Sequence, residues 1–284
     1  MKSAAIISKP SKPELAGILP DLLAWFRKRG YTLYLDQETA QYTAGEEVVS
    51  RTAMGAKHPN FALVLGGDGT LLAAARALAH EDVPILGVNL GSLGFLTEVP
   101  LSEMYITLEA AVAGQCPVEN RAVLDCTLFR GSQELAHHFA LNDVVVNKSA
   151  ISRLMDFDLL IDGIFVFSYK ADGVIIATPT GSTAYSLAAG GPVLMPSVES
   201  FVVTPVCPHS LTHRPLVVTD KAQIELRVET SVEDAFLSID GQIGTPVKQG
   251  DRILCRRAEH TVQLMRVRRT FFDALRNKLK WGQR

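Results

Sequence analysis

The stretch FALVLGGDGTLLAAARALA, residues 61–79, decides the fold that the sequence predicts. Its first five residues are all apolar and predict a buried strand, whereas residues 70–79 have the apolar spacing of a helix. Three glycines and one aspartate are all that separates the two patterns. A strand that passes directly into a helix is the repeating unit of α/β proteins.

The same alternation of strands and helices extends on both sides of this stretch. Short all-apolar strands that alternate with helices favour a parallel, doubly wound sheet. The further strands predicted here are 4–8, 31–35 and 83–89, and the further helices are Glu14–Arg29, 44–57 and a helix that is capped by Ser102 and ends near Ala113.

The pattern changes from about Asn120 onward. Short β-branched segments follow one another as far as VQLMRV (262–267), with turn residues between them as in IDGIF (161–165). These segments predict a largely antiparallel β domain. We expect one helix within it, near Ser182–Gly190, and a return to a helical pattern over residues 268–280.

Composition excludes several classes of protein. The 284 residues are 47% hydrophobic and carry a net charge of −2, which gives no overall attraction to nucleic acid or to an anionic membrane. No apolar run reaches the roughly 18 residues of a membrane span. The four cysteines form no C-x-x-C pair, which favours reduced thiols in a cytoplasmic protein.

A possible zinc site is suggested by three residues that lie close together in the sequence, Cys207, His209 and His213. They lack the fourth ligand of a zinc site, so we expect them to be polar residues at a contact between domains or subunits.

The glycine turn Gly66–Thr70 has two interpretations. It lies at the carboxyl end of a predicted parallel strand, where ligands of such sheets bind, and its glycines tolerate positive φ and let backbone approach a phosphate. The alternative is a tight turn that Asp68 caps. If the turn binds phosphate, the Asp68 carboxylate would be repelled by that anion, so its presence there requires a functional reason. Two functions fit: Asp68 could bind Mg²⁺, or it could accept the proton of an attacking hydroxyl.

A second cluster of polar residues lies in ATPTGSTAYSLAAGGPVL, residues 177–194. Six hydroxyl-bearing side chains crowd into residues 178–186. Such a density at a strand-to-helix junction suits the recognition of ribose and phosphate, and it equally suits an ordinary capped turn.

Taken together, these segments resemble the NAD kinase family. The motifs that match are GGDGT at 66–70, the pair Asn142-Asp143, TPTGSTAYS at 178–186 and the Asp240-Gly241-Gln242 sequence. The resemblance covers nearly the whole chain. It implies ATP-dependent phosphorylation of the adenosine-ribose 2′-hydroxyl of NAD. It also implies an α/β plus β fold, with a Rossmann-like N-terminal domain (1–119 plus 266–284) and a C-terminal β-sandwich-like, NAD-binding domain (120–265).

The resemblance also implies residue roles. Asp68 matches the proton acceptor, and Gly66, Gly67, Gly69 and Thr70 match the phosphate loop. The residues implied to bind NAD are Asp68, Gly69, Phe95, Asn142, Asp143, Arg153, Lys170, Asp172, Thr183, Ala184, Tyr185, Ser186, Leu187, Ala188 and Gln242.

One residue departs from the family pattern, because many members have Glu where this chain has Asp143. The shorter side chain reaches about 1.5 Å less far, so a direct contact with the ligand can become water-mediated.

The expected ligands are the small molecules NAD and ATP, with Mg²⁺ or Mn²⁺ bound together with ATP and no metal fixed by protein groups alone. We expect a homodimer or homotetramer and no nucleic-acid or membrane partner. Two alternatives stay open. A lipid kinase shares the GGDGT loop but gives no reason for residues 178–186, and a non-catalytic dinucleotide sensor gives no reason for Asp68.

Overall fold

The computed structural model describes residues 2–148, 154–229, 235–266 and 270–280. The chain divides into two compact units, the first formed by Met1–Asn120 with Thr261–Arg284 and the second by Arg121–His260. Within the described residues, no helix has both the length and the apolar character needed to cross a membrane.

The secondary structure is numbered in chain order. The strands are β1 Lys2–Ser8, β2 Tyr31–Leu35, β3 Glu47–Val48, β4 Phe61–Gly66, β5 Ile85–Asn89, β6 Val99–Pro100, β7 Val118–Arg121, β8 Leu124–Arg130, β9 Gln133–Ala140, β10 Asp143–Lys148, β11 Met155–Ile161, β12 Ile164–Ala171, β13 Gly173–Ala177, β14 Ser200–Val206, β15 Leu216–Thr219, β16 Ile224–Val228, β17 Ala235–Ile239, β18 Ile243–Val247, β19 Asp251–Arg257 and β20 Val262–Met265. The helices are α1 Leu15–Lys28, α2 Gln37–Ala40, α3 Arg51–Met54, α4 Asp68–Leu78, α5 Met104–Val112, α6 Tyr185–Ala188 and α7 Phe271–Leu279.

A sheet whose strands from β3 to β20 pair in parallel forms the centre of the first unit. Its strand order across the described residues is β3-β2-β1-β4-β5-β20-β7, with β6 also paired to β5. Strands β2 and β3 thus follow β1 on one side of the sheet, and β5 follows β4 on the other side. This is the strand order of a Rossmann-like sheet. The α/β prediction for this part of the chain is confirmed.

The sequence explains why this sheet is a core layer. Every residue of β4 is buried, as expected for a strand covered on both faces. Helix α1 buries one stripe, formed by Leu15, Leu19, Leu22, Leu23 and Phe26, against the same core.

Two antiparallel sheets make up the second unit. Their orders are β15-β14-β13-β10-β17-β18 and β12-β11-β16-β19-β8-β9 across the described residues. A single cluster of buried side chains draws on both sheets, with Phe157 and Tyr169 from one and Phe201 from the other. The unit is thus β-sandwich-like, as the resemblance implied.

Three local predictions were wrong. Residues 44–57 are not one helix, because Gly45 has φ +97° and Glu47–Val48 pair with β2 instead. Ser102 does not cap α5, because Leu101–Glu103 form a 3₁₀ turn and Glu103 precedes the helix. Strand β20, expected in the antiparallel domain, is a parallel neighbour of β5 in the first unit.

Candidate active site

The glycine turn connects β4 to α4 directly. Gly66 ends the strand, Gly67 is the N-cap with an extended backbone (φ −106°, ψ −173°), and Asp68 is the first residue of the helix. None of the turn's glycines has positive φ. The need for Gly66 is therefore steric, since a Cβ there would collide with the Thr70 hydroxyl, whereas a Cβ on Gly67 would meet open space. Gly67 thus leaves the approach to the turn unobstructed.

Asp68 does not cap its own helix. Its carboxylate instead accepts hydrogen bonds from the segment after β5, with Phe95 N 2.8 Å from Oδ2 and Leu96 N and Thr97 N at 3.1 and 3.0 Å from Oδ1. The Thr97 hydroxyl donates a further bond of 2.9 Å to Oδ1. Among the described residues, Oδ2 accepts only from Phe95, so it keeps a lone pair for one more proton.

The residues around this carboxylate hold it in one orientation. Asn89 Nδ2 donates to the Thr97 hydroxyl at 2.9 Å, which orients the hydroxyl toward Asp68. Gly94 packs so closely that a Cβ on it would overlap the Asp68 carboxylate. The sequence motifs did not indicate a role for Asn89, Gly94 or Thr97, although the glycine pair in GSLGFL (91–96) marked a tight turn.

The hydroxyl-rich segment of the second unit uses most of its hydroxyls on the protein itself. Thr178 Oγ1 donates to Leu141 O at 2.5 Å, and Ser182 Oγ donates to Pro179 O at 2.7 Å. Ser186 Oγ lies 2.9 Å from Thr204 Oγ1. All three of these serine and threonine side chains are fully buried. Their hydroxyls therefore hold the turn in shape. The half-buried Thr183 also donates to Thr180 O at 3.2 Å, whereas the side chain of Tyr185 is exposed and better placed to meet a ligand.

Asn142 and Asp143 are presented at a tight corner. The Asp240 carboxylate accepts backbone N–H bonds from Leu141 (3.2 Å), Asn142 (2.7 Å) and Asp143 (3.2 Å). Gly181 packs on the same corner, and a Cβ there would overlap the Asn142 main chain. Asp240 thus positions the pair, a role that the Asp-Gly-Gln motif had not suggested.

Asp143 is buried beside Asp240, with only 4% of its surface exposed. Burial, and after it the charge of Asp240, raise the pKa of Asp143 from 3.8 to about 7, against the opposing effect of a hydrogen bond from the Tyr185 N–H. This carboxylate therefore already has a protein partner at the beginning of α6. Contact between its side chain and NAD stays a prediction.

The other predicted residues are distributed through the second unit. Lys148 Nζ forms an ion pair with Asp172 Oδ1 at 2.9 Å, so Asp172 has a basic partner that its place in the sequence did not indicate. Lys170 and Gln242 are exposed. Arg153 lies outside the described residues. The segment predicted to line the NAD site consists of Thr183, which ends a 3₁₀ turn, then Ala184, and then α6 with Tyr185, Ser186, Leu187 and Ala188.

The described residues contain no group of three or more His, Cys, Asp or Glu side chains that could hold a metal ion. In the segment considered for zinc, the His213 ring packs on Tyr169, with their centroids 5.0 Å apart, and Cys207 is exposed.

Comparison with known proteins identifies the family. Residues 4–116 match the model of the ATP-NAD kinase N-terminal domain, and residues 141–267 match that of the ATP-NAD kinase C-terminal domain. A protein of Koribacter versatilis named NAD kinase is 61% identical over 284 residues, and one of Acidobacterium capsulatum with the same name is 52% identical over 285 residues. Both alignments cover all of each chain.

Solved structures agree with this match. The structure of yeast NADH kinase complexed with NADH has a TM-score of 0.90 at 26% identity and covers 100% of this chain and 89% of that one. The structure of an NAD kinase from Archaeoglobus fulgidus in complex with ATP has a TM-score of 0.78 at 25% identity and covers 97% and 99%.

Proposed function

The chain belongs to the NAD kinase family, and from this membership we propose that it transfers the γ-phosphoryl group of ATP to the adenosine-ribose 2′-hydroxyl of NAD. The 2′-oxygen forms the new bond to phosphorus, and the bond from phosphorus to the β,γ-bridging oxygen breaks. The products are NADP and ADP, and the hydroxyl proton is left for a base to accept.

The observation that carries the proposal is the hydrogen bonding of the Asp68 carboxylate. Three backbone N–H groups and one hydroxyl fix its carboxylate at the carboxyl end of β4 and leave Oδ2 able to accept a proton. We assign Asp68 as the general base for the 2′-hydroxyl. A positioned base of this kind contributes about 10²- to 10⁴-fold to the rate.

We assign dinucleotide binding to the second unit. Asn142 is half-buried at the corner held by Asp240, and its amide can both donate and accept hydrogen bonds. On the segment that follows Gly181, the exposed Tyr185 offers a hydroxyl, and Thr183, whose hydroxyl donates to Thr180 O, can still accept a hydrogen bond. We keep the remaining residues of the predicted NAD set in the same role, together with Phe95 and Gly69 of the first unit.

The phosphate loop has too few free ligand atoms to bind a divalent cation by itself, so the cation would bind together with ATP. The loop offers one carboxylate, Asp68, and most of its acceptor positions are already filled. Mg²⁺ or Mn²⁺ would accordingly take most of its ligands from phosphate oxygens and water. When bound, such an ion offsets the charge of the triphosphate.

The proposal is tested with the full-length chain and labelled ATP, offering NAD, diacylglycerol and sphingosine in parallel. We expect label only in a product that an NADP-specific dehydrogenase reduces, which identifies the 2′-phosphate. Label in either lipid would establish the lipid-kinase alternative. Binding of NAD without any labelled product would establish the sensor alternative.

We further propose that the chain is cytoplasmic and forms a homodimer or homotetramer through its second unit. Across the described residues, β12 is an edge strand, and Ile164, Phe165 and Val166 on it are 72%, 57% and 36% exposed. An unpaired edge with exposed apolar side chains favours pairing with a second copy. Light scattering of the full chain should give the mass of a dimer or tetramer, and Phe165→Lys should lower it. A monomeric mass for the unchanged chain would refute this.

A further inference from the structure

The strand order of the first sheet reverses between β1 and β4. Ligands of open parallel sheets bind in the crevice outside the carboxyl ends of the strands at such a point. The turn Gly66–Asp68 forms one side of this crevice, because it follows β4. The other side is formed by the residue that follows β1, which is Lys9.

Lys9 lies directly against the glycine turn. Its backbone N–H donates to Leu65 O at 2.8 Å, which continues the pairing of β1 with β4 by one residue. A Cβ placed on Gly66 would lie 3.2 Å from the Cβ of Lys9. The Lys9 side chain is exposed, and the flexible four-carbon stem of a lysine lets its ammonium group reach over the turn.

The neighbouring cations are already engaged with carboxylates. Arg51 donates to the buried Asp36 at 2.7 Å and to Ser8 O at 2.8 Å. Lys12 Nζ lies 3.0 Å from Glu14 Oε1. The pKa of Glu14 is lowered first by this hydrogen bond from Lys12, and Lys9 is the weakest of the named causes. Lys9 therefore interacts only weakly with Glu14.

The glycine turn itself supplies no cation, since GGDGT lacks the lysine of a P-loop. We propose that Lys9 binds the polyphosphate of ATP at the crevice between β1 and β4 and supplies the positive charge that this turn lacks. The inference rests on the proposed function for the identity of the nucleotide. It assigns Lys9 to the phosphoryl donor and not to the pyrophosphate of NAD.

The test compares Lys9→Met, Lys9→Arg and Lys12→Met in the full-length chain. Lys12 is the matched control, because it lies three residues further along the same segment and is ion-paired. The KM values for ATP and for NAD are measured separately, and the Kd for a non-hydrolysable ATP analogue with Mg²⁺ is measured by calorimetry. Far-UV circular dichroism checks that each variant folds.

We expect Lys9→Met to raise the KM for ATP and the Kd for the analogue about tenfold, the scale of losing one charge-assisted hydrogen bond. Lys9→Arg should recover most of this loss, and Lys12→Met should change neither constant by more than about twofold. A Lys9→Met protein with unchanged analogue affinity would overturn the inference, as would a rise confined to the KM for NAD. Absence of turnover with NAD, combined with weakened analogue binding in Lys9→Met, would refute the proposed function alone.

Discussion

Replacing Asp143 with Asn should stabilise the second unit from about pH 5 upward, and most strongly above neutral pH. The native carboxylate is 4% exposed and lies beside Asp240, and these surroundings raise its pKa from 3.8 to about 7. Such a rise corresponds to about 4 kcal/mol at about 1.4 kcal/mol for each tenfold change in proton affinity. An asparagine has no charge to bury, and its amide oxygen can still accept from the Tyr185 N–H.

The sign of the pH dependence follows from the raised pKa. Well below pH 4 the carboxyl group is protonated in both the folded and the unfolded state, so its burial does not change the free energy of unfolding. Between about pH 4 and pH 7 the unfolded chain releases the proton while the folded chain keeps it, and the free energy of unfolding falls. Above about pH 7 the folded chain also releases the proton, so the free energy of unfolding falls no further. The advantage of Asp143→Asn over the native chain should therefore grow from about 2 kcal/mol at pH 5 to about 4 kcal/mol at pH 8.

The assay must report on the second unit. Both tryptophans of the sequence, at positions 25 and 281, lie outside residues 121–260, so their fluorescence does not serve. Amide hydrogen exchange of β10 and β17, followed by mass spectrometry at pH 5 to 8, measures the opening free energy directly. The control is Asp158→Asn, since Asp158 is half-buried and the bond it accepts from the Ser168 hydroxyl at 2.6 Å is exposed. An advantage that stays constant between pH 5 and pH 8, or a loss of protection at pH 8, would refute the reasoning.

The remaining predictions concern the proposed reaction. Asp68→Asn should fold, bind NAD within a few-fold and lose at least about 10² in kcat; a variant that keeps a tenth of the native kcat would refute the general-base role. Gly94→Ala should lower kcat at least about tenfold, because the added Cβ overlaps the Asp68 carboxylate, whereas Gly17→Ala, whose Cβ meets open space, should leave kcat unchanged. Asn142→Ala should weaken NAD binding by about 1–3 kcal/mol in calorimetry, and unchanged affinity would remove the assigned contact. Excess chelator should abolish turnover and added Mg²⁺ or Mn²⁺ should restore it, so full activity in chelator would exclude the metal.

Local sequence determined the elements whose causes are local. The apolar run 61–65 and the helical spacing after it predicted β4 and α4, and alternation with turn residues predicted the antiparallel unit. The motifs were also sufficient to indicate the family, because their order and spacing are properties of the chain alone.

Only the tertiary structure decided the features that depend on distant residues. Asp68 is held by groups 27 to 29 positions away, and Asp143 owes its raised pKa to burial and to Asp240, 97 positions away. Strand β20 joins β5 from the far end of the chain. Hydrogen bonding, burial and charge act through space, so a residue's type and spacing show which contacts it is able to make, and the fold alone decides which of them form.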